Sequence, residues 1–108
     1  MKSMEISALL QTSDGITRQY EQLSGRWDIP SQIAHVHSEI SEIYQALKHE
    51  DGREHILEEL ADGFLSLFTL ANMLEVNGEE LVEAIDKKLS VILERVRALR
   101  MAKHNGGV

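Results

Sequence analysis

The sequence predicts an all-α domain, and three observations carry that expectation. Strong helix formers dominate the 108 residues, which include a single proline. Apolar residues recur at helical spacing in four stretches. Short breaks carrying Gly, Asn, Asp or Pro separate those stretches.

The first helix is expected from about Met4 to Leu23, with Ser3 as candidate N-cap and Gly15 as a weak point at which it can break. Ser24-Gly25-Arg26-Trp27-Asp28-Ile29-Pro30 then reads as a loop, and Pro30 starts the next helix. That second helix is expected over about Ser31–Lys48. Ile33, Val36, Ile40, Ile43 and Leu47 form a heptad-like apolar stripe on it, beside a polar row of His35, Glu39, Glu42 and Gln45. His49-Glu50-Asp51-Gly52-Arg53 is the following break.

The third helix is expected over about Glu54–Leu74. Leu57, Leu60, Ala61, Phe64, Leu65, Leu67, Phe68, Leu70 and Ala71 cover more than half its circumference, leaving a narrow polar stripe of Glu59, Asp62, Ser66 and Thr69. So apolar a helix is expected to touch more than one neighbour, with a second subunit among the candidates. Glu75-Val76-Asn77-Gly78 reads as a turn, and Asn77 or Gly78 caps a fourth helix over about Glu79–Ala102. Glu79, Glu80 and Glu83 suit its positive end, and Arg95, Arg97 and Arg100 its negative end. The tail from His104 to Val108 is expected to be loose. Residues 1–108 therefore read as one helical domain, with no repeat and no long linker.

Composition excludes several function classes. The chain has no cysteine, which removes disulfides, thiolate metal sites and a cysteine nucleophile, and fits a reducing, cytoplasmic setting. No apolar run reaches membrane-spanning length, and the N-terminal stretch lacks a signal-peptide pattern. A formal net charge of −7 argues against a nucleic-acid polymer as partner. A phosphate-bearing small molecule stays open, because a metal ion reverses the local sign.

The chemistry concentrates in two acidic pairs, Glu39-Ile-Ser-Glu42 and Glu59-Leu-Ala-Asp62. Residues three apart on a helix share a face and lie about 4.5 Å apart along its axis. Antiparallel packing of the second and third helices brings all four acids together. Close pairs then repel by on the order of 1–4 kcal/mol, a cost that a divalent cation turns into a site. Spacing alone discriminates poorly: five acidic pairs at this spacing occur among the 18 acids of the chain. Glu80/Glu83, Glu83/Asp86 and Asp51/Glu54 suit helix starts and solvated faces. Glu59/Asp62 instead occupies a polar stripe on an apolar helix, Glu39/Glu42 borders an apolar stripe, and no Lys or Arg stands on either row.

Other candidates are weaker. His35 and His37 do not form the Glu-x-x-His pairs of di-iron bundles, and read as surface or supporting residues. Lys88 and Arg95, with Lys87, are candidates for holding phosphate charge, or for an exposed face with Glu94. Trp27 either stacks on a base or plugs the end of the bundle.

His37-Ser38-Glu39-Ile40-Ser41-Glu42 followed by Glu58-Glu59-Leu60-Ala61-Asp62 resembles the MazG-like nucleoside triphosphate pyrophosphohydrolases of the all-α NTP pyrophosphatase superfamily. Their mark is E-x-x-E, a short gap, then E-x-x-D. The likeness runs from Trp27 to the C-terminus through Asn77-Gly78-Glu79-Glu80-Leu81, Ala84-Ile85, Lys88 and Arg95. It implies a four-helix bundle protomer assembling into a homodimer or a dimer of dimers (a homotetramer). It implies Mg²⁺ held by Glu39, Glu42, Glu59 and Asp62, and hydrolysis of a triphosphate to the monophosphate and pyrophosphate. Glu58 is a further candidate, as the base for the attacking water or as support for a ligand. Two positions depart from the family pattern: Ile92 replaces a frequent asparagine, and Gly63 replaces a branched residue.

The leading expectation is thus a Mg²⁺-dependent pyrophosphohydrolase. The alternative is a non-catalytic helical oligomer that binds a nucleotide or protein partner, suggested by the apolar third helix and Ile92. A di-metal carboxylate oxidase ranks third, because the Glu-x-x-His pairs are missing.

Overall fold

The computed structural model describes residues 5–24 and 28–106, and among these the chain is all-α with four helices: α1 (Ile6–Ser24), α2 (Ile29–Lys48), α3 (Arg53–Met73) and α4 (Gly78–Gly106). None of these helices is long and apolar enough to cross a membrane. The chain divides into two compact units, Met1–Gly78 and Glu79–Val108.

The first unit is built around α3, which packs against both α1 and α2. The expectation that α3 has more than one neighbour is met within a single chain. Helix α1 buries Leu10 and Ser13. It runs through Gly15 without a break, and the space around that glycine is open. The candidate cap Ser3 and the loop residue Trp27 lie outside the described residues.

Helix α2 begins two residues earlier than expected, because Asp28 rather than Pro30 sets its start. The Ser31 backbone N–H donates to Asp28 Oδ1 (2.7 Å), and Pro30 occupies the first turn, where its missing N–H costs nothing. Hydrogen bonding from Ser31 holds the Asp28 carboxyl below its ordinary value.

Both α2 and α3 end in the same left-handed motif. At the end of α2, Glu50 has φ 55°, its N–H donates to Leu47 O, and the Asp51 N–H reaches back to Ala46 O. At the end of α3, Glu75 has φ 59°, its N–H donates to Asn72 O, and the Val76 N–H donates to Ala71 O. These are Schellman closures, and in each a glutamate occupies the position that glycine usually takes. Gly52, the glycine nearest the first turn, instead has φ −61° and precedes α3 as its N-cap.

Helices α2 and α3 meet antiparallel through small and polar residues. Gln32 Nε2 donates to Ser66 O (2.8 Å), and Ser66 Oγ donates to Gly63 O (2.8 Å), both bonds buried. Gly63 is buried at this seam, and a Cβ built on it would meet only Ile43 Cδ1, at 3.4 Å, an ordinary van der Waals contact. The apolar stripe read from the α2 sequence does not form the seam: Val36 and Ile43 are half-buried, but Ile33, Ile40 and Leu47 are exposed. On α3, Leu57, Leu60, Phe64, Leu65 and Leu67 are exposed as well. Of the two buried bonds only Gln32 to Ser66 O crosses between the helices; the Ser66 hydroxyl bond lies within α3.

Helix α4 starts at Gly78, immediately after Asn77, and extends to Gly106. His104 and Asn105, expected in a loose tail, are therefore helical. No breaker interrupts the helix before Gly106, and Lys103 and His104 complement its negative end. Within the first unit, a Cβ on Gly78 would lie 2.8 Å from the backbone Cα of Ser7, so only glycine fits that position.

Candidate metal centre

The α2–α3 seam brings the two acidic motifs together. Glu39 and Glu42, one turn apart on α2, meet Glu59 on α3. One carboxylate oxygen from each lies within 4.8 Å of the other two. Asp62, one turn beyond Glu59, is exposed and stands outside this tight triad, yet its charge acts on both Glu39 and Glu59.

The two inner acids are arranged alike. Glu39 Oε1 faces His35 Nε2 at 3.4 Å, one turn back on α2. Glu59 Oε1 faces His55 Nε2 at 3.5 Å, one turn back on α3. In both residues the second oxygen, Oε2, is buried and has no hydrogen-bond partner. Their side chains are only 12 % and 14 % exposed. A buried carboxylate oxygen without a donor is costly, and native proteins usually satisfy such atoms.

Electrostatics records that cost. Burial pushes the Glu39 carboxyl above its ordinary value, the Glu42 and Asp62 charges push it further, and His35 opposes them. Burial also raises Glu59, the neighbouring Glu42 carboxylate and the Asp62 charge raise it further, and His55 opposes them. Among the described residues, no lysine or arginine forms an ion pair with these acids.

The residue types fit a hard divalent cation. Carboxylate oxygens from two facing helices are the donor type such a cation takes, and Glu39, Glu42 and Glu59 could hold one. His35 and His55 stand beside the opposite oxygens at 3.4 and 3.5 Å, and each is itself half exposed.

The other sequence candidates fall elsewhere. Glu58 is 70 % exposed and lies 3.9 Å from His55 Nδ1, on the outer side of α3. His37 is exposed on α2. Lys88 and Arg95 are exposed, seven residues apart on α4, in the second unit. Trp27 is outside the described residues. Sequence reading missed His55, which sits within 4 Å of Asp51, Glu58 and Glu59. A signal was present: each acidic pair is preceded by a histidine four residues before its first acid, His35 before Glu39 and His55 before Glu59.

No family model, curated protein or solved structure matches this chain.

Proposed function

We propose that this chain is a Mg²⁺-dependent nucleoside triphosphate pyrophosphohydrolase of the cytoplasm. The observation that supports it is the convergence of Glu39, Glu42 and Glu59, with two buried carboxylate oxygens left without donors. The order of the acidic pairs, which resembles the MazG-like pattern, supplies the reaction class.

Glu39, Glu42 and Glu59 would hold the cation, with Asp62 as the fourth acid at the exposed edge. The ion, when bound, would neutralise triphosphate charge and lower the pKa of a coordinated water. The protein's own part is to place the carboxylates: the buried Gln32–Ser66 bond ties α2 to α3, and His35 and His55 stand beside the inner acids. One of the four acids, or Glu58, would take the proton of the attacking water, and full activity in Glu58→Gln would remove Glu58 from that role. Lys88 and Arg95, seven residues apart on α4, would offer positive charge to a phosphate, and Trp27 would contact the base. The exposed apolar faces of α2 and α3 fit a four-helix protomer assembled as a homodimer or homotetramer.

The test is pyrophosphate release from a panel of NTPs and dNTPs with Mg²⁺. Turnover of at least one nucleotide, lost in Glu42→Ala, is expected. Folded protein that turns over none of them refutes the proposal. The same apolar faces favour a second reading, a non-catalytic module for a nucleotide or protein partner. Calorimetry that detects nucleotide binding unaffected by Glu42→Ala or Asp62→Ala, with no hydrolysis, would establish that reading instead.

A further inference from the structure

Helix α4 carries a pattern that the catalytic proposal does not use. Val82, Ile85, Leu89, Ile92, Val96 and Leu99 follow one another at alternating spacings of three and four, the a and d positions of a heptad. They form a single stripe, about 26 Å long, on one face of the helix. Every residue from 82 to 105 is exposed, and the six stripe side chains are 36–71 % exposed. So long an unbroken apolar line in water marks an interaction surface.

Charge selects the occupant. The first part of α4 carries Glu79, Glu80, Glu83 and Asp86 with no base, and the last part carries Arg95, Arg97, Arg100 and Lys103 with no acid. A parallel partner of the same kind would set acids on acids and bases on bases. An antiparallel copy sets each acidic end against a basic one.

We propose that α4 pairs antiparallel with the α4 of a second copy of this chain. In the register that fills the stripe, Leu89 faces the second copy's Ile92, Ile85 its Val96 and Val82 its Leu99. Each layer joins an a position to a d position, as antiparallel coiled coils require. Glu79 then flanks the second copy's Arg100. One flank carries like charge, Lys88 beside the second copy's Arg95. The pairing itself does not depend on the catalytic reading.

Sedimentation of the full chain across a concentration series tests the pairing. A concentration-dependent dimer is expected, with Leu89→Lys/Ile92→Lys shifting it to monomer while circular dichroism keeps its helical signal. Direction is read by cross-linking, which the absence of native cysteine makes clean. A mixture of Val82→Cys and Leu99→Cys chains is expected to form the mixed disulfide, and neither variant alone to form its own. Monomer at every concentration overturns the proposal. So do self-disulfides of each variant in place of the mixed one, or association lost in Phe64→Asp and untouched by the α4 changes.

Discussion

Glu39→Gln is expected to stabilise the metal-free protein while removing its cation affinity. Glu39 lies in a cluster whose oxygens are within 4.8 Å of one another, and its side chain is only 12 % exposed. Two unit charges at 4.8 Å repel by about 1 kcal/mol in water and about 3.5 kcal/mol at an effective dielectric of 20. Glu42 is exposed, so the Glu39–Glu42 repulsion belongs at the lower end, about 1 kcal/mol. Glutamine keeps the shape, removes the charge and offers a donor toward Glu42. A gain of about 1 kcal/mol raises Tm by roughly 4–8 °C in a domain of this size. The assay is thermal unfolding by circular dichroism at pH 8 and low salt, with and without Mg²⁺. Wild type is expected to gain Tm with Mg²⁺, and the variant to start higher and gain little. A metal-free Tm below wild type would refute the reasoning, since it would mean that the carboxylate stabilises the seam rather than straining it.

The same cluster fixes a pH dependence. Glu39 and Glu59 carboxyls are raised above the ordinary 4.5, so between that value and their folded-state values the native state binds more protons than the unfolded chain. Their contribution to stability is therefore present at low pH and lost as pH rises through that interval. The Tm difference between wild type and Glu39→Gln/Glu59→Gln, measured from pH 4 to 8 without metal, should widen in the variant's favour as pH rises. Glu50→Gly and Glu75→Gly should each stabilise by about 0.5–1 kcal/mol in urea unfolding. Relief of left-handed strain at φ 55° and φ 59°, about 1–2 kcal/mol, outweighs the added entropy of the unfolded chain, about 0.5–1 kcal/mol. Gln32→Ala removes the buried bond to Ser66 O and should cost about 1–2 kcal/mol in the same assay, weakening cation binding with it. Gly78→Ala should cost about 1–3 kcal/mol, because its Cβ meets the Ser7 backbone, which yields less readily than a side chain.

The helices were legible because apolar spacing and breakers mark them strongly, and all four lie within a few residues of expectation. Their ends were less so. The break His49–Arg53 is visible in the sequence, but which residue takes the left-handed position is not: Glu50 takes it, although Gly52 stands two residues on. Facing direction was the larger miss. Ile33, Ile40 and Leu47 look like a core stripe, yet α2 meets α3 through Gln32, Ile43 and Ala46, opposite the buried Gly63 and Ser66. Periodicity finds a stripe but does not identify what covers it. In the site, spacing alone does not separate Glu39, Glu42 and Glu59 from the other acids; the order of the two pairs and the apolar helices that carry them do, and the structure brings the three together. Asp62 was read as their equal but stands outside the triad, because one helical turn carries it to the exposed edge. His55 was overlooked because its partners bracket it from both sides of a chain break.

The central claim is that the seam of α2 and α3 holds a divalent cation between Glu39, Glu42 and Glu59. Calorimetric titration of Mg²⁺, and of Mn²⁺ as its probe, into wild type and into Glu39→Gln/Glu59→Gln tests it most directly. Saturable binding of both cations by wild type, abolished in the folded double variant, is the predicted result. Equal binding by both proteins, or none by wild type, contradicts the account.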